Sequence, residues 1–306
     1  MKAVGVTGPD YMPRLFDIDE PVASPGGVVV EVLTASVNDF DRAAVEGRMA
    51  WTGPLDPVLL GRDFVGRVTA VGDDVDYIDV GMYVAGTTEV GRSGTFTDSV
   101  EVPAELLAPV PDGIDVAQAA GVGLAAITAL DAVGVLGATN LGTTLIHGPV
   151  SEVGGFALQL ARARGAVVAV VTPPAQADLA WALGADVVIP EGADATQTIQ
   201  AVRDLFGGGV DNAIHIAGDV SVAAGVVRPG GKFTSVTDTA TLAVRPDAEY
   251  IPTVVVPSGH KLADLLFKVA AQRLHGYVGR TFSFDQAGDA VTSDHTGAGG
   301  RTVLVR

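Results

Sequence analysis

From about Ala117 onward the chain repeats one pattern several times: a short apolar run, a glycine-containing turn, then an amphipathic stretch of helical period. Parallel strands need a long crossover between them, so this alternation predicts an α/β fold with a doubly wound parallel sheet. The spacing places strands at Thr143–His147, Val167–Val171, Val187–Ile189, Asn212–Ile216 and Lys232–Val236. Helices are expected at about Val153–Arg164, Ala175–Leu183, Ala195–Phe206 and Val220–Val226. The uncharged stretch Ala132–Ser151 has the length of a membrane span, yet its four glycines, Asn140, His147 and Pro149 suit lipid poorly. It reads as a loop leading into a buried strand.

The first third has a different texture. Gly27–Leu33 and Gly66–Val71 are β-branched runs bounded by Pro25-Gly26-Gly27 and Gly72-Asp73-Asp74, the pattern of an irregular β domain. After Val256-Pro257 come one helix, His260 to about Leu274, and extended segments at Tyr277–Phe284 and Thr302–Val305, which read as a return to the first domain. A length of 306 residues suits two domains, here 1–117 completed by 257–306, and 118–256.

Charge narrows the partners. With 36 acidic and 19 basic residues the formal charge is −17, which repels phosphate backbones and anionic lipid. Neither nucleic acid nor a membrane is expected as partner, and a small molecule is. The absence of cysteine rules out disulfides, thiolate catalysis and sulfur-built zinc sites. The five histidines, at 147, 215, 260, 275 and 295, show no helical metal-ligand spacing, so no metal site is expected. Met1–Gly5 lacks the apolar core of a secretory signal, which makes the cytoplasm the expected location.

The segment from Leu145 to Gln159 reads as a strand, a tight turn and the first turns of a helix. Gly148, Ser151, Val153 and Gly154 would let backbone approach a pyrophosphate, and the helix start would aim free N–H groups at it. A strict G-x-G-x-x-G is absent, so an ordinary strand-to-helix connection remains the alternative. The second strand ends in Thr172-Pro173-Pro174, without the acid that accepts from an NAD ribose. That favours NADP(H), although no Lys or Arg follows through Asp178. Thr172 merely ending a strand is the competing reading. Ala217-Gly218 and Ser235-Val236 end later strands, so their backbone is expected to line the same crevice.

Several segments in order resemble the medium-chain dehydrogenase/reductase superfamily, in particular its zinc-independent quinone oxidoreductase, or zeta-crystallin-like, branch. Gly61-Arg62-Asp63-Phe64-Val65-Gly66-Arg67-Val68 through Val71-Gly72 is similar to the branch's G-x-D-x-x-G-x-V-x-x-V-G signature, with Arg62-Asp63 where zinc enzymes carry His-Glu. Val37-Asn38 through Asp41, Gly123–Leu130, Gly209-Val210-Asp211 with Ala217-Gly218, and Arg228–Lys232 resemble further family segments. The resemblance implies a GroES-like domain, a Rossmann domain, a nicotinamide in the cleft between them, NADPH as hydride donor, and homodimers pairing Rossmann sheets edge to edge. The substrate it implies is a quinone or an activated enone or carbonyl. The alternatives are a zinc-free alcohol or ketone reductase and a non-catalytic cofactor-sensing protein. Departures from the pattern are Ser151-Glu152 in the turn, Ala125 for threonine and Ala43 for a tyrosine.

By this resemblance Asn38 bonds the nicotinamide end of the cofactor or the substrate carbonyl, unless it only forms a turn. Asp41 is expected to cap a helix through Ala43–Glu46. Arg62 either stabilises an enolate or quinol oxygen or pairs with Asp63 or Asp41. His147, His215 and His275 are expected as hydrogen-bonded core histidines rather than general acids. His260 is a candidate near the cleft, and Trp51 either walls the substrate or anchors the small domain.

Overall fold

Valine-rich runs broken by glycine turns pair as antiparallel strands over the first hundred residues of the computed structural model. Described are residues 1–7, 10–48, 57–88, 94–150, 152–192, 194–237, 245–293 and 300–306. The first stretch holds β1 (Lys2–Val6), β2 (Arg14–Asp17), β3 (Gly27–Ser36), α1 (Asp39–Val45), β4 (Val58–Leu59), β5 (Asp63–Val71), β6 (Tyr83–Thr87), β7 (Ser99–Pro103), β8 (Leu107–Pro109) and α2 (Val116–Leu136). Next come β9 (Thr143–His147), α3 (Val153–Ala163), β10 (Val167–Thr172), α4 (Ala177–Ala182), β11 (Val187–Pro190), α5 (Ala195–Leu205), β12 (Val210–His215), α6 (Val220–Val226), β13 (Val227–Ser235) and β14 (Glu249–Tyr250). The chain finishes with α7 (Gly259–Ala270), β15 (Val278–Ser283), α8 (Ala287–Thr292) and β16 (Arg301–Val305).

Two compact units result, Met1–Leu124 with Pro257–Arg306, and Ala125–Val256. The boundary falls at 124/125, seven residues beyond the position read from composition. The reason is α2, which crosses the expected boundary as one apolar helix; its break comes at Gly123, where φ is 17° and ψ −133°. A long helix with few polar residues carries no periodic signal of where one unit stops. Ala132–Leu136, expected as loop, forms its last turn. By length and composition α2 resembles a membrane span, but 72% of its apolar window is buried inside protein.

In the first unit the sheet order is β15-β16-β3-β5-β6-β8, with β7 also on β3, beside a small β2-β1-β4 sheet. β16 lies antiparallel to β3, pairing Val303 with Ser36 and Leu304 with Ala35, so the end of the chain completes the sheet its beginning started. Val28, Val30, Val32, Phe64, Phe96 and Leu304 share its core.

The second unit carries the parallel sheet in the order β11-β10-β9-β12-β13-β14. Strand order reverses between β9 and β12, which is where open α/β sheets hold their ligands. Register brings the strand ends level: His147 pairs with Val171 and His215, and His215 with Ser235. β13 starts well before the expected Lys232, running through Arg228-Pro229-Gly230-Gly231. The expected helix from Ala175 is shorter, because Pro173-Pro174 first imposes a turn of 3-10 helix.

Candidate dinucleotide site

At the carboxyl end of β9 the chain must turn sharply into α3, and two glycines make the turn possible. Gly148 has φ +122°, and a Cβ there would lie 2.8 Å from the amide of Ala217. A Cβ on Gly154 would lie 2.1 Å from the carbonyl oxygen of Pro149. The Gly148 amide donates to Val171 (2.8 Å) and that of Val150 to the buried Gln176 side chain (2.8 Å), which fixes the turn to the end of β10 and beyond. The Gly155 and Phe156 amides return to the carbonyl of Glu152. Those of Val153 and Gly154, in the first turn of α3, have no helical carbonyl behind them, the arrangement by which helix starts hold anions. Glu152 stands at the cap position, and its side chain makes no capping bond to the helix start. Ser151 lies outside the described residues.

Beside this turn stand polar atoms that lack partners. His147 and Thr172 are fully buried at the ends of β9 and β10, and neither ring nitrogen of His147 nor Oγ1 of Thr172 has a hydrogen-bond partner. Burying such groups unsatisfied is unfavourable, and both stand at neighbouring strand ends beside the glycine turn. The nearest acid to His147 is Glu191, with Oε1 3.5 Å from Nε2. His215, its ring centroid 5.4 Å from that of His147, is satisfied: Nδ1 contacts Ser235 Oγ (2.9 Å) and Nε2 the carbonyl of Gly218 (3.2 Å). That pattern makes Nε2 the protonated nitrogen. His215 thus meets the expectation of a bonded core histidine, whereas His147 is buried but unbonded. His260 and His275 are exposed, so His275 is not a core residue. Ala217 and Gly218 follow β12, and the Val236 amide donates to the His215 carbonyl (3.1 Å), so the expected residues of the later strand ends share this edge.

Burial pushes the His147 imidazole down to about 4, with the neighbouring His215 acting the same way, and burial lowers His215 too. A folded-state value below the unfolded one yields stability that is complete above pH 6.5 and lost as pH falls toward 4. For His147 the loss amounts to about 3 kcal/mol. Asp41, raised by burial to about 6 against the pull of the Asn38 and Gly61 amides, works in the opposite sense: its folded form favours the proton, so it adds stability as pH falls from 6 toward 4. The two partly cancel in the whole chain. Comparing His147→Leu with the parent in denaturant at pH 7 and pH 4.5 isolates the histidine; the variant is expected to gain at low pH, and a pH-independent difference would refute the assignment.

In the first unit a second polar cluster surrounds Asp63, which is 1% exposed. Its Oδ1 accepts from Thr87 Oγ1 (2.8 Å) and the Leu124 amide (2.7 Å); its Oδ2 accepts from Ser36 Oγ (2.9 Å), Asn38 Nδ2 (3.0 Å) and Arg301 Nη2 (3.2 Å). Arg301 also donates to Ser36 Oγ (2.7 Å) and Asn38 Oδ1 (3.0 Å). The ion-pair partner of Asp63 is therefore Arg301, and the Arg62–Asp63 pair, one of the alternatives for Arg62, does not form. Arg62, also buried, donates to the carbonyl of Thr88 and lies over the Phe40 ring at 4.7 Å. Asn38 directs its amide into the cluster. Asp41 does cap α1, but from its third residue, in a capping box with Asn38 rather than before Ala43; its carboxylate accepts from the amides of Asn38 (2.8 Å) and Gly61 (2.7 Å). Gly123 has to be glycine because a Cβ there would lie 2.2 Å from Asp63 Cγ. Sequence reasoning missed Arg301 and Glu191. The available signal for Arg301 was an arginine heading the apolar run Thr302–Val305. Trp51 and His295 lie outside the described residues.

A family model described as alcohol dehydrogenase GroES-like domain matches residues 24–112, and one described as zinc-binding dehydrogenase matches 153–246. The residues do not fit a zinc ion: cysteine is absent, and among the described residues no group of three His, Asp or Glu is placed to hold a metal. A phthioceranic/hydroxyphthioceranic acid synthase of Mycobacterium tuberculosis is 36% identical over 205 residues, 66% of this chain and 9% of that protein. The chain thus spans about a tenth of the length of the first curated relatives it matches. In fold it is similar to the quinone oxidoreductase from Coxiella burnetii (TM-score 0.84, 23% identity, covering 100% of this chain and 99% of the other). It is similar also to a mycobacterial protein complexed with NADPH (TM-score 0.86, 24% identity, 100% of both chains). With a GroES-like unit closed by its own last strand and a Rossmann sheet bearing a glycine turn at the switch point, the chain belongs to the medium-chain dehydrogenase/reductase superfamily.

Proposed function

We propose that this chain is a zinc-independent reductase of the quinone oxidoreductase kind, using NADP(H) to deliver hydride to a quinone or an activated enone or carbonyl. The observation that carries the reading is the set of unpartnered buried atoms on His147 and Thr172 beside the glycine turn. The first turn of α3, at Val153 and Gly154, holds the diphosphate. Thr172, Ala217, Gly218, Ser235 and Val236 line the remainder, and β10 itself ends in Thr172 rather than in an acid. A nicotinamide, when bound, supplies the hydride. On the substrate side Asn38 orients the acceptor carbonyl by turning to it the N–H now given to the Ser36 carbonyl (3.3 Å), and Arg62 offers a fixed positive charge to the oxygen that becomes anionic. The proposal includes a homodimer: β14 is the last strand of its sheet, and the exposed Val254 and Val256 follow it.

One observation favours a second reading, coenzyme binding without turnover: the Asn38 amide is already engaged by Ser36, Asp63 and Arg301. Titrating NADPH against tryptophan fluorescence, then following NADPH oxidation with benzoquinone, an enone and a ketone, separates the two. Saturable binding with turnover on the quinone or enone is the expected result. Binding without turnover on any acceptor would favour the second reading, and no binding would sink both. Sedimentation at the mass of one 31.0 kDa chain would remove the dimer from the proposal.

A further inference from the structure

We propose that Glu191, from the strand after β10, is the acid that meets the adenosine ribose of the coenzyme, and that it keeps any preference for NADPH over NADH small. This rests on the coenzyme reading above. In doubly wound folds the ribose-binding carboxylate ends the second strand. Here that strand ends in Thr172, so the sequence leaves the position empty of charge. Tertiary structure refills it. The Glu191 amide donates to the Thr172 carbonyl (3.0 Å), which folds the chain leaving β11 over the end of β10. From there the side chain reaches across: Oε1 lies 3.5 Å from His147 Nε2, at the end of β9, and 3.2 Å from the Cβ position of Gly218, after β12. The carboxylate therefore stands above the strand ends at the switch point, among the unpartnered Thr172 Oγ1 and the His147 nitrogens.

Its surroundings decide what it accepts. The titratable groups around it are the uncharged His147 and His215 and the acid Asp219, whose charge acts on both histidines. From Thr172 through Asp178 the chain has no Lys or Arg. Among the described residues no Lys or Arg pairs with this carboxylate, and such a group welcomes a ribose hydroxyl, which donates to it, and repels a 2′-phosphate. At 35% exposure its side chain keeps contact with water, so it stays available as an acceptor. Gly218 follows from the same geometry, since with φ at +94° it passes beneath Glu191 and His147 where a side chain would crowd both.

The test is to measure dissociation constants for NADPH and NADH with the parent, Glu191→Gln and Glu152→Gln. In the parent the two coenzymes are expected to bind within about tenfold of each other. Glu191→Gln should raise the NADPH-to-NADH affinity ratio about tenfold, by removing one charge near the 2′ position. Glu152→Gln should tighten both alike, because both coenzymes carry the diphosphate that α3 faces. A ratio unmoved or lowered in Glu191→Gln, with both coenzymes still bound, would overturn the proposal. If the parent binds neither, the coenzyme reading itself fails and this inference falls with it.

Discussion

Replacing Arg301 by methionine is expected to lower the stability of the first unit by about 3–5 kcal/mol. Arg301 and Asp63 are each 1% exposed, so the arginine is the cation that offsets a carboxylate far from bulk water. Methionine fills part of the volume but returns no charge and no donor to Ser36 Oγ, Asn38 Oδ1 or Asp63 Oδ2. Bonds from Thr87, Ser36, Asn38 and the Leu124 amide stay with Asp63, which keeps the loss from growing further. At about 2–4 °C per kcal/mol for a unit of this size, the melting temperature should fall on the order of 10 °C. Combining Arg301→Met with Asp63→Leu should cost less than the sum of the single changes, because the second removes the charge that the first strands. A loss under about 1 kcal/mol for Arg301→Met alone would show the pair to be solvated.

The second large effect is expected from Gly154→Ala, which should weaken both NADPH and NADH about 100-fold or more. Its Cβ would stand 2.1 Å from the Pro149 carbonyl oxygen, a backbone atom with no rotamer to escape into, so the turn and the start of α3 must part. A displacement of about 1 Å in a positioning element is enough for a loss of that order. The matched control is Gly134→Ala, on the exposed side of α2, where the nearest atom is Arg164 Nη1 at 3.9 Å. There alanine is expected to leave binding unchanged and to add about 0.5–1 kcal/mol, since glycine is the poorer helix former. Coenzyme titrations with the two variants decide the matter. Equal affinities would place the diphosphate elsewhere.

Much of the second unit is legible from local pattern. Thr143–His147 is a strand with the expected bounds, and the helices at Val153, Ala195 and Val220 start where expected, because apolar period and turn chemistry act within a dozen residues. The glycine turn is legible for the same reason: Gly148 and Gly154 answer to crowding in their own turn and at its neighbouring strand end. Errors collect where local pattern carries no information. A long, mostly apolar helix running across the boundary hid the break at Gly123. At the head of β16 the apolar run Thr302–Val305 marked a buried strand, but nothing local said which acid Arg301 would meet there.

The same division holds for the site. Composition and periodicity were enough to indicate a β-rich unit followed by a doubly wound parallel sheet with a glycine turn after its first strand, and to exclude cysteine chemistry, since these depend on residue type and near-neighbour spacing. Which charge meets which was decided only when the sheets assembled. Arg301 finds Asp63 across 238 positions because β16 pairs with β3 beside β5, and Glu191 arrives over the end of β10 because β11 lies next to it in parallel register. Such encounters are set by strand order and register, and those are properties of the folded sheet that no stretch of sequence contains alone.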